Sequence, residues 1–116
     1  MDHLNISEGH DQINVLVLEK TGYVVSCRDC HNLQIGFGNF TSDQSPNEFY
    51  RFTEIIANLV NKHRHDEESA HAKSIFLPTP YPGFNLLFTR AELSQLNDIL
   101  QTALLIIQAE NLANLS

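Results

Sequence analysis

Ile13-Asn14-Val15-Leu16-Val17-Leu18 is dense in branched apolar residues and reads as a strand. Lys20-Thr21-Gly22 then supplies a turn in which Gly22 is free to take a positive φ. Tyr23-Val24-Val25-Ser26-Cys27 follows as a second strand, so the two predict a hairpin. Leu33, Ile35 and Phe37 alternate with Gln34, Gly36 and Gly38, the period of a third strand with one buried face, which is expected to run on to Phe40. The glycines in that strand point to a bulge or a close backbone approach.

The period changes at Ser45-Pro46-Asn47-Glu48. Ser45 can cap, Pro46 suits the first helical position, and Glu48 can reach back to complete a capping box. Phe49, Phe52, Ile55, Ile56, Leu59 and Val60 then recur as one helical stripe that should end near Lys62-His63-Arg64-His65. Asp66 to Ala72 is a solvated linker, and Ser74 to Leu77 and Phe84 to Phe88 are two further short strands. Between them lies Pro78-Thr79-Pro80-Tyr81-Pro82-Gly83, a rigid turn. Thr89-Arg90-Ala91-Glu92 repeats the capping-box pattern ahead of a second stripe, Leu93, Leu96, Ile99, Leu100, Ala103, Leu104 and Ile107.

Strand, capping box and amphipathic helix thus occur twice in the same order, the pattern that a duplicated strand-helix unit would leave. The expected architecture is α+β: a mostly antiparallel sheet of about five strands with both helices on one face. A single domain over residues 1–116 is expected, with 1–11 and 111–116 frayed.

Composition narrows the function. A chain of 116 residues buries roughly two-thirds of its unfolded surface, enough to fold without a disulfide or a metal. Fourteen acidic residues against seven basic ones give a net charge of −7, which repels phosphate and disfavours nucleic acid as a partner. The first residues lack the basic and apolar regions of a signal peptide, and no apolar run is long enough to span a membrane. A soluble cytoplasmic protein is the expectation.

Both cysteines fall in Cys27-Arg28-Asp29-Cys30-His31. Thiolate and imidazole bind soft metals, and a CxxC pair between two strands is a common way to present two zinc ligands. Cys27, Cys30 and His31 are therefore the candidate metal ligands, with zinc held structurally. The chain has no further cysteine, so the rest of the shell would come from His3, His10, His63, His65 or His71, or from two cysteines of a second copy. Disulfide cycling is less favoured, because no helical pattern follows Cys30. Haem attachment fails on context: the only methionine is Met1 and no export signal precedes the motif. The tract from His63 to His71 reads as a solvated connector. No nucleophile elbow, phosphate loop or HExxH is present and no acid–base pair can be named, so an enzyme is unsupported and no catalytic residue is assigned. In the proline-rich turn, Tyr81 and Phe84, with Phe76 nearby, are candidate partner-binding residues; the alternative is that these rings pack onto the sheet.

CxxCH, Gln34-Ile35-Gly36-Phe37-Gly38-Asn39 and the long run from Phe76-Leu77-Pro78-Thr79-Pro80-Tyr81-Pro82-Gly83 to Phe84-Asn85-Leu86-Leu87-Phe88 resemble a family of small Bacteroidetes proteins whose function is unknown. The resemblance covers about residues 23 to 110 and carries no activity across; it implies a single bacterial cytoplasmic domain. The functional expectation is a small acidic binding or regulatory module, acting on an unknown protein partner or on a second copy of itself. The alternative is a protein that binds zinc through the CxxCH cluster.

Overall fold

A computed structural model describes residues 12–67 and 70–115, so the expected fraying of 1–11 lies outside the described residues. The elements run β1 (Ile13–Leu18), β2 (Gly22–Cys27), β3 (Leu33–Phe37), β4 (Phe40–Gln44), α1 (Pro46–Lys62), β5 (Ile75–Pro78), β6 (Asn85–Phe88) and α2 (Arg90–Leu115). The class is α+β, as the patterning predicts. β1 to β4 form an antiparallel meander in chain order, and β5–β6 form a separate hairpin.

The mostly antiparallel sheet of about five strands takes the form, among the described residues, of a four-stranded sheet and a two-stranded one, with one strand more than the pattern predicts. The extra strand comes from the stretch read as continuing to Phe40. Gly38 takes φ +57°, the chain reverses through Gly38-Asn39, and Phe37 pairs directly with Phe40. Positive φ at the first central residue suits a type II′ hairpin turn. The strand that results, Phe40-Thr41-Ser42-Asp43-Gln44, holds one apolar residue and so gives no periodic signal.

Gly22 also departs from expectation. Glu19 and Gly22 exchange N–H···O bonds of 2.9 and 3.3 Å, which places the turn on Lys20-Thr21. Gly22 is a strand residue without positive φ. What it needs is space: a Cβ there would stand 2.3 Å from the Gly36 carbonyl oxygen on β3. Gly36 is itself covered by the Tyr23 ring, whose hydroxyl donates to Gln34 Oε1 at 2.9 Å. Gln34 Nε2 donates onward to Asp43 at 2.8 Å, so this buried amide is satisfied on the face turned away from the helices.

Leu33, Ile35 and Phe37 face the core with Phe49 and Ile56 of α1 and Leu93, Leu96, Ile99, Leu100 and Ala103 of α2. α2 lies over β1 and β2, α1 lies against β4, and the helices pack on each other. Phe37, Phe40 and Phe88, with ring centroids 6.3 to 6.5 Å apart, join the β5–β6 hairpin to the main sheet.

Both capping boxes form. Ser45 N–H donates to the Glu48 carboxylate (2.8 Å) and Glu48 N–H to Ser45 Oγ (3.2 Å); Thr89 and Glu92 repeat the exchange at 2.8 and 3.0 Å. Hairpin, capping box and helix therefore recur in order as β3–β4–α1 and β5–β6–α2.

Glu92 also accepts from Lys73 Nζ at 2.8 Å. That bond, with the Thr89 N–H, holds its carboxyl below the usual glutamate range. A depressed native pKa stabilises the fold above the unfolded value of 4.5, and the contribution is lost as pH falls through the lower native value. Glu92→Gln keeps a capping side chain but removes the charge. Its stability deficit relative to the parent should be present at pH 7 and shrink toward zero in acid, read by urea melts at several pH values. A deficit that is flat with pH would disprove the assignment.

Candidate functional site

β2 and β3 meet at Cys27 N–H, which donates to Asn32 O at 2.9 Å, while His31 N–H donates back to Cys27 O at 2.9 Å. The enclosed turn, Arg28 to His31, ends with His31 at φ +64°, the only non-glycine residue with positive φ among the described residues. This winding turns successive backbone N–H groups inward, the kind of concavity that binds anions and thiolate clusters. Cys30 N–H donates to Cys27 Sγ at 3.2 Å. Asp29 N–H also serves Cys27, and Asn32 N–H serves Cys30.

The two sulfurs interact directly. Cys30 donates its S–H to Cys27, which lowers the Cys27 pKa; burial and the Asp29 carboxylate oppose this, and the backbone N–H groups of Cys30 and Asp29 reinforce it. The same contact holds the proton on Cys30 and raises its pKa. Cys27 is buried and Cys30 exposed, and both are free thiols.

His31 is placed elsewhere. It lines a cleft of about 270 Å³ with Ser26, Pro46, Phe49, Tyr50 and Glu110, on the helix side of the sheet. Cys27, by strand register, shares its face with Val25 and Gln34. Among the described residues no three His, Cys or carboxylate side chains converge as a metal-binding group. His63 contacts Asp66 at 3.3 Å just beyond α1, while His3 and His10 lie outside the described residues.

The proline-rich turn forms the second candidate site. The Thr79 hydroxyl accepts from Tyr81 N–H (3.2 Å) and donates to Phe84 O, and Thr79 N–H donates to the same oxygen at 3.2 Å. Pro80, Pro82 and these bonds fix the loop. Tyr81 and Phe84 are 72% and 58% exposed, so neither ring packs into the core. They flank a groove of about 480 Å³ whose other walls are β4, Phe52 and Ile55 of α1, and Leu77 and Leu86 of the hairpin. Strand β4 ends the four-stranded sheet, so among the described residues no strand pairs with its outer edge. Gln44 Oε1, in this lining, is buried and finds no hydrogen-bond partner among the described residues.

A family described as "Family of unknown function (DUF6686)" matches residues 10–113. The chain belongs to that family. The matched region of this DUF6686 member takes in every strand, the thiol turn, the groove and nearly all of α2. Neither the curated proteins nor the solved structures include a match. No helix among the described residues is long and apolar enough to cross a membrane.

The strand β4 and its groove partners Phe52, Ile55 and Leu77 are what sequence reasoning missed. Gly38-Asn39, a favoured two-residue hairpin pair, was the signal for β4.

Proposed function

We propose that this chain is a binding module that takes an extended segment of another protein along the free edge of β4. The observation that carries this reading is the coincidence of an unpaired strand edge with an apolar groove. A strand laid there gains main-chain hydrogen bonds from β4, while alternate side chains reach Phe52, Ile55 and Tyr81. Because Thr79 and the prolines hold the loop in place, little ordering cost falls on binding.

The occupant is an apolar segment interrupted by basic residues. The chain carries −7 overall, and Asp43 and Glu48 in the groove lining outnumber Arg51. Gln44 Oε1 supplies a buried acceptor for one donor of the incoming segment. The Bacteroidetes origin and cytoplasmic setting belong to the same reading, supported by the sequence resemblance and by thiols that lie unlinked.

Selection from a displayed peptide library tests it. Enriched sequences should alternate apolar and lysine or arginine residues and perturb the Phe40 to Gln44 amides in NMR spectra. Tyr81→Ala or Phe84→Ala should each weaken binding about tenfold or more, roughly 1.4 kcal/mol, with the melting transition unchanged. Acidic or helix-forming winners, or shifts confined to another surface, would refute the proposal.

A further inference from the structure

The thiol turn stands apart from the groove and has no part in the function proposed above. It places two soft donors at an exposed hairpin turn, aims the Cys30 backbone N–H at Cys27 Sγ at 3.2 Å, and keeps the Cys30 thiol open to solvent. Such an N–H donor stabilises thiolate, the form that binds metal. A tetrahedral zinc site needs four ligands, and each chain brings two sulfurs. His31 does not complete the set, because it lines the cleft on the opposite side of the sheet.

We infer that the turn is half of a shared metal centre, in which Cys27 and Cys30 from each of two copies hold one zinc ion on a two-fold axis. The partner copy completes the site, so metal and association are linked. Four thiolates around one divalent ion leave a charge of −2 at the junction, and the N–H donors of both turns offset part of it. Without the ion, two chains of net charge −7 repel each other. The chain should therefore be monomeric when stripped of metal and dimeric when loaded. Each ligand thiol gives up its proton to solvent on binding, so loading should weaken as pH falls.

The test uses the full chain, reduced, stripped with a strong chelator and titrated with zinc chloride. Native mass spectrometry should show two chains per zinc, and sedimentation should show a monomer passing to a dimer over the same titration. Cobalt in place of zinc should give the intense sulfur-to-metal charge-transfer bands of a tetrathiolate site. Cys30→Ser, at an exposed position, should keep the parent circular dichroism while losing at least a hundredfold in zinc affinity and all zinc-dependent association. A His3→Ala/His10→Ala double variant should keep the two-to-one stoichiometry. One zinc per monomer, zinc binding lost in the histidine variant, or a molecular size indifferent to zinc would each overturn the inference.

Discussion

Phe49→Ala is expected to destabilise the protein by about 3–5 kcal/mol, the usual range for removing a fully enclosed phenylalanine. Phe49 is 0% exposed and belongs to the core shared by the sheet and both helices. The loss has two parts. Burial of the ring is forfeited, and a cavity remains because the strands on one side and α2 on the other cannot both close in. A domain of this size has about 5–15 kcal/mol in total, so the variant would sit near the edge of folding at 37 °C. Urea melts with an unchanged slope and a lowered midpoint would establish it. A loss below about 1 kcal/mol would mean that Phe49 is not the centre of the core. Phe84→Ala is the control: its ring is 58% exposed, and the change should fall within about 0.5 kcal/mol.

The second large effect is expected at Gly22. Alanine normally favours a strand over glycine, yet Gly22→Ala should destabilise by about 3 kcal/mol, at the top of the usual range for overpacking. The added Cβ would stand 2.3 Å from the Gly36 carbonyl oxygen and 3.1 Å from the Phe37 ring. A carbonyl within a ladder cannot swing aside; β2 and β3 would have to separate. Gly36→Ala offers an instructive contrast. There the obstacle is the Tyr23 ring, a side chain that can move, but moving it breaks the Tyr23–Gln34 hydrogen bond and strands a buried amide. Adding Tyr23→Ala should therefore rescue part of the Gly36→Ala loss and none of the Gly22→Ala loss. Equal rescue of both would show that the close backbone approach is not what excludes a side chain at Gly22.

Gly22 marks where the sequence stops being legible, whereas the close approach at Gly36 is one of the two readings its strand pattern offers. Both helices could be read from it, because Ser45-Pro46-Asn47-Glu48 and Thr89-Arg90-Ala91-Glu92 write local hydrogen bonds and the apolar stripes write the packing face. β1, β2 and the hairpin around Pro78 to Phe84 announced themselves by branched residues and punctuation. β4 has only the Gly38-Asn39 pair to mark it, because a mostly polar edge strand carries no apolar period of its own. The site was legible in the same uneven way. The pairing of Cys27 with Cys30 follows from their spacing, whereas the left-handed conformation of His31 and its place in the cleft beside Phe49 and Tyr50 could be read only from the fold. Tyr81 and Phe84 could be named from sequence, but the groove required knowing that β4 lies alongside them.

The last helix lies across the first two strands, and this has a bearing on synthesis. A ribosome adds about 5–20 residues per second, so the apolar side of Val24 and Ile35 waits several seconds after it emerges before Leu93 to Ala103 arrive to cover it. Nascent chains of this protein therefore pass through a sticky interval that lasts until the last helix can cover the sheet, and any premature stop ahead of that segment leaves a product suited to chaperones or proteases.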